Sequence, residues 1–187
     1  MSASSMPPPG SVDGAAPAGR LAALVSRFTS RTLPKAEWTH EAHLLVGLWH
    51  VHRYGEAEAL ARLREGIRRL NDAHGTPNTP SSGYHETITR AYVTLLADFL
   101  ASGPAGRTIE TRAGELLASP LAARDALLRY YSRERLFSPE ARTRWLAPDG
   151  APLGPVPDVL RPHLVAQLRA LGVVPGATLI VHTAFSR

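Results

Sequence analysis

The chain has 187 residues, 44% of them hydrophobic, and a formal net charge of +5 at neutral pH. That size and apolar share suit one domain with a packed core, or one domain plus a fragment. The lack of cysteine excludes disulfides, thiolate nucleophiles and cysteine-ligated zinc, and no apolar run approaches the length of a membrane span.

The positive charge is not laid out for nucleic acid. Arginines stand singly among acids, as in Glu56-Ala57-Glu58 followed by Arg62, Arg64, Glu65, Arg68 and Arg69, with no basic run interleaved with aromatics. Neither nucleic acid nor membrane is therefore expected as a partner. Residues 1–19 are Ser, Pro, Gly and Ala with almost no bulky side chains, and are expected to be disordered. They lack the apolar core of a signal peptide, which makes a cytoplasmic location the default.

The periodicity predicts an all-α bundle of about six helices over residues 20–146. Leu21, Leu24, Val25 and Phe28 share one face of a first helix running from Arg20 to about Ser30. Thr39 is an N-cap for a second, which Gly55 closes. Glu56 opens a third, striped by Leu60, Leu63, Ile67 and Leu70 and stopped at His74-Gly75. A polar loop over residues 76–83 leads to a helix from Tyr84 to about Ala101, capped by Ser82 or Gly83. Ser119-Pro120 and Ser138-Pro139 each place a capping hydroxyl before proline, the start of a further short helix. Residues 147–159 are rich in Pro and Gly and read as a linker. Beyond it come a helix from Leu160 to Leu171, a Pro175-Gly176 turn and a strand from Thr178 to His182.

The second helix carries the most informative pattern. At about 100° per residue, His40, His43, Gly47, His50 and Tyr54 fall within an arc of roughly 80°. The other positions are mostly apolar, so this helix should be buried, and buried imidazoles are costly unless satisfied. His40 and His43, three apart, reach one point as helical metal ligands do. His50 lies on the order of 10 Å further along by helical rise. A third ligand is sought in His85 or Glu86, with His74 another candidate. The expected cofactor is a divalent metal: zinc, iron, nickel or copper. His-Glu-Ala-His lacks one residue of the zincin spacing, so no protease is implied. The alternative for His40 and His43 is that they hydrogen-bond to the polar loop and pin it.

Tyr84, His85 and Glu86, at a helix start beside a polar loop, are the candidate catalytic group, with His85 as acid or base; Glu86 alone also suits a capping acid. Asn78 would orient a small polar substrate or form an Asx turn. Arg129 or Tyr131 would meet that substrate if they face the histidines. His50 either supports the pocket floor or is a core histidine bonded to Tyr54 or a backbone carbonyl.

The runs Trp38 to Leu44 (WTHEAHL), Gly75 to Thr89 (GTPNTPSSGYHETIT) and Leu128 to Arg142 (LRYYSRERLFSPEAR) resemble those of an uncharacterised family of small bacterial helical proteins. That likeness spans about residues 24–149 and implies site positions but no reaction. Residues 164–187, with a helix, a Pro175-Gly176 turn and the strand Thr178-Leu179-Ile180-Val181-His182, resemble the N-terminal start of aminoglycoside 3-N-acetyltransferases. This second likeness implies a truncated acetyltransferase-like segment over residues 160–187. The expected function is thus a small enzyme-like domain with a His-rich pocket. The alternatives are a non-catalytic module of an acetyltransferase-type fusion, and a scaffold whose histidines pin the loop.

Overall fold

The computed structural model describes residues 17–154 and 169–170. Among them are six α-helices and no strand: α1 (Pro17–Thr29), α2 (His40–Ala73), α3 (Glu86–Ala101), α4 (Ile109–Leu117), α5 (Arg133–Leu136) and α6 (Pro139–Thr143). The all-α architecture is as the periodicity predicts, and no described helix is long and apolar enough to cross a membrane. Disorder over residues 1–16, the end of the linker over residues 155–159 and the strand at Thr178 to His182 lie outside the described residues. So does the helix at Leu160 to Leu171, apart from the helical Arg169 and Ala170.

α2 is two helices in one. Gly55 interrupts it at φ 74° and ψ 170°, a backbone region open essentially to glycine alone. Leu44 and Gly47 on one side of Gly55, and Leu63 and Ile67 on the other, line the same cavity. In a straight helix Leu44 and Ile67 would be about 35 Å apart, so the chain reverses at Gly55 into two facing arms, residues 40–54 and 56–73. Thr39 accepts from the Ala42 amide at 3.2 Å and caps the first arm as expected. The cap His74 and left-handed Gly75 (φ 63°) end the second.

Leu21, Val25 and Phe28 of α1 pack on both arms, with Val93 and Leu96 of α3 and Leu116 of α4 completing the core. At Gly66 a Cβ would lie 2.6 Å from the Phe28 ring; glycine lets the ring seat on the second arm. The opposite face of α3 presents Ala91 and Leu95 to a smaller cluster with Leu127, Tyr131 and Leu136. Thr87, fully buried, fastens this side: its hydroxyl donates to the Arg144 carbonyl at 2.8 Å and accepts from the Leu146 amide at 3.0 Å.

Several local features differ from the predicted elements: α1 starts at Pro17, inside the stretch expected to be disordered, and α5 has no counterpart among them. α4 has none either, although Thr108 accepts from the Thr111 amide and caps it. Ser119-Pro120 opens only a 3-10 turn, Pro120–Ala122. Residues 147–153 are packed rather than free. Gly150 donates to the Tyr130 carbonyl at 2.8 Å, Asp149 accepts from the Ser132 amide and hydroxyl, and the compact unit ends at Leu153.

Candidate functional site

The two arms of α2 and the flank of α3 enclose a cavity of about 340 Å³, at the lower end of the range for small-molecule sites. Leu44, Leu63, Ile67, Ile88, Val93 and Leu96 make its wall apolar, and His40, His43, Thr89 and Tyr92 supply the polar groups. Gly47 matters for space: a Cβ there would stand 2.9 Å from Leu96 Cδ1.

His40 is one of three groups that the described residues leave unsatisfied, with His85 and Asp98, and of these it alone lines this cavity. Its Nε2 is buried and has no hydrogen-bond partner among the described residues, and its ring stands edge-on to Tyr92, centroids 6.0 Å apart. Burial, then the Asp125 carboxylate, pushes the Tyr92 phenol up to about 12, so it stays a protonated donor. His43 stacks on Trp38 at 3.7 Å and its Nδ1–H donates to the Thr39 carbonyl at 2.6 Å. That bond leaves the lone pair on Nε2. Desolvation first, with the nearby His40 adding to it against the Thr39 bond, lowers its pKa to about 4; His43 is an exposed residue by its surface, and water there tempers the displacement.

Two neighbouring cavities share walls with this one. Trp38, His43, Ile67, Ile88 and Thr89 also line a space toward Asn71, His74, Tyr84 and His85. His40, Ile88 and Tyr92 line another toward Arg124, Asp125, Arg133 and Phe137.

His85 is buried and serves as the N-cap of α3, the place expected of Ser82 or Gly83. Its Nδ1 accepts from the Ile88 amide at 3.3 Å, so the proton of the neutral ring sits on Nε2. That nitrogen is buried without a partner among the described residues. Desolvation and the Arg142 guanidinium lower the His85 pKa to about 4, against the pull of the Leu136 carbonyl. The lone pair a metal or a general base would need is already given to the backbone. Among the described residues no group of three His, Asp or Glu side chains is placed to hold a metal ion.

Glu86 and Tyr84 form a clamp. Arg64 grips both Glu86 oxygens, Nε at 2.9 Å and Nη2 at 2.5 Å, and the Tyr84 hydroxyl donates to the same carboxylate at 3.0 Å. Burial pushes the Glu86 carboxyl upward, but the Arg64 and Tyr84 hydrogen bonds outweigh it and hold the pKa below the ordinary value. Asn78 spends its amide on the loop. Its Oδ1 accepts from Asn71 and from the Tyr84 amide, and its Nδ2 donates to the Arg68 carbonyl and to Asp72.

The other candidates lie apart from His40. His50 donates from Nδ1 to the Val46 carbonyl at 2.7 Å and packs against Phe28, Trp49 and Tyr54. It borders a different cleft, beside Arg62, Gly66 and Arg69, because its ring turns toward α1. Tyr131 is buried with its hydroxyl on the Leu146 carbonyl, Arg129 is exposed, and His74 donates from Nε2 to the Leu33 carbonyl. The arginines that reach the histidine site are Arg124 and Arg133. Tyr92, which the sequence does not single out, stands at the junction with them.

The acid response follows from these caps. The unfolded chain protonates His85 near 6.5 and the folded chain only near 4, so the folded pKa is the lower of the two. Stability is complete above 6.5 and is lost as pH falls toward 4. Asn is a good N-cap without a titrating ring. His85→Asn is expected to match the parent in urea unfolding at pH 8 to within about 1 kcal/mol and to lose less stability than the parent at pH 5. An unchanged loss would show that His85 is not its source.

No family model, curated protein or solved structure matches the chain.

Proposed function

We propose that this domain binds a small, mainly apolar molecule in the cavity between α2 and α3, and that His40 shares or moves a proton at its polar atom. The observation that carries the reading is the buried, unpartnered Nε2 of His40 on the wall of a mainly apolar cavity. A buried polar atom without a partner costs on the order of 1–3 kcal/mol, and such atoms in folded proteins ask for an explanation. A ligand that hydrogen-bonds to His40 removes that cost, and the apolar wall adds burial. His43 offers a second acceptor and Tyr92 a neutral donor, so a hydroxyl or carbonyl on the ligand meets groups of both kinds.

An imidazole beside a bound hydroxyl or carbonyl is in place to give or take a proton there. The small polar substrate expected from the sequence becomes, on this reading, a molecule with a polar end and an apolar body. Titration with 1-octanol, followed by the imidazole nitrogen resonances, tests it: the His40 signals should shift and those of His50 should not.

A further inference from the structure

The cavity next to His40 says what the polar end carries. We infer that the ligand is a carboxylate on an apolar body, its carboxylate lying between Arg124 and Arg133. The inference rests on the reading of the His40 cavity as a ligand site and deepens it.

The second cavity, of about 370 Å³, shares His40, Ile88 and Tyr92 with the first. The two cavities thus meet at His40, and on this inference one molecule spans both. Beyond that junction the wall changes character, with Arg124, Asp125 and Arg133 on it. Seven ion pairs are formed among the described residues, and they engage Arg27, Arg62, Arg64, Arg69, Arg107, Arg112 and Arg144. Neither Arg124 nor Arg133 is in any of them. The Arg133 guanidinium lies over the Phe137 ring at 5.7 Å, and Phe137 itself is 54% exposed at the mouth.

The charge balance selects the head group. Two guanidinium groups against the Asp125 carboxylate leave one positive charge, which a monoanion neutralises. Asp125 bears on Tyr92, whose phenol it helps keep protonated, so a hydrogen-bond donor stands where the head group meets the apolar cavity. Guanidinium forks suit a planar carboxylate, with two parallel N–H···O bonds available from each. The apolar cavity then receives the rest of the molecule, and its volume limits that body to a short chain or a single ring system.

Calorimetric titration of the full chain with octanoate, 1-octanol and octylamine tests this. Octanoate should bind about tenfold more tightly than octanol, and octylammonium most weakly. Arg124→Gln and Arg133→Gln, both at exposed positions, should each weaken octanoate about fivefold and leave octanol unchanged. Octanol binding as well as octanoate, or arginine variants that leave octanoate unaffected, would overturn the carboxylate while leaving the His40 cavity standing. Absence of binding by all three probes would overturn both.

Discussion

Glu86→Ala is expected to lower the unfolding free energy by about 2–4 kcal/mol, read from the midpoint of urea denaturation. Glu86 is buried, and its oxygens are shared between Arg64 from the second arm of α2 and Tyr84 from the loop. The salt bridge thus joins α3 to α2 beside the cavity. Without the carboxylate, the buried Tyr84 hydroxyl loses its acceptor and Arg64 its partner. Arg64 retains a side-chain exposure of 38%, so water recovers part of its solvation and the loss stays below that of a fully buried pair. A double-mutant cycle with Arg64→Ala should show coupling, the loss in the double variant being smaller than the sum of the two single losses. The pH dependence has a definite sign. Glu86 has its folded pKa below the unfolded value, so its contribution is complete above the unfolded pKa and is lost as pH falls through the folded one. Additive losses in the cycle would mean that the clamp does not act as a unit.

Gly83→Ala should cost a comparable amount, about 2–4 kcal/mol. Gly83 has φ 74°, and a Cβ there would lie 2.6 Å from the Pro77 carbonyl and 2.7 Å from Asn78 Oδ1. Neither atom gives way cheaply. One is backbone, and the other is the acceptor that holds both Asn71 and the Tyr84 amide. The substitution therefore adds a collision to an unfavourable backbone region, at the turn that delivers Tyr84, His85 and Glu86 to the start of α3. Gly75 supplies the contrast: φ is 63°, and nothing lies within 4 Å of the position a Cβ would take. Gly75→Ala carries the conformational cost alone, about 1 kcal/mol. Equal losses at the two glycines would remove the close approach from the explanation.

What could be read from the chain was local. Thr39 as cap, the break at Gly55 and the stop at His74-Gly75 all depend on neighbouring residues, and each stands in the structure where its chemistry puts it. The cap of α3 escaped because imidazole is not among the usual N-cap side chains, and Ser82 and Gly83 looked better. Thr108 carries an ordinary cap signal for α4, but the helix behind it is only nine residues long, too short for its stripe to stand out. Tyr84, His85 and Glu86 looked like chemistry because they are polar and clustered. Their partners, Arg64 at a separation of 22 residues and the Ile88 amide, make a clamp and a cap of them. The acidic Asp125 and the arginines Arg124 and Arg133 reach the His40 site from a distant part of the chain, and no spacing rule connects segments so far apart. The histidine stripe itself divides: His40 and His43 share the cavity, while His50 turns to Phe28.

The most direct measurement is nitrogen NMR of the imidazoles during titration with 1-octanol, with His40→Ala to assign the His40 signals. On this account the His40 Nε2 resonance moves in a saturable way, His50 and His74 stay fixed on their carbonyl partners, and His40→Ala weakens the binding. Saturable binding that leaves His40 unmoved, or no binding at all, would contradict a ligand site between the arms of α2 and α3.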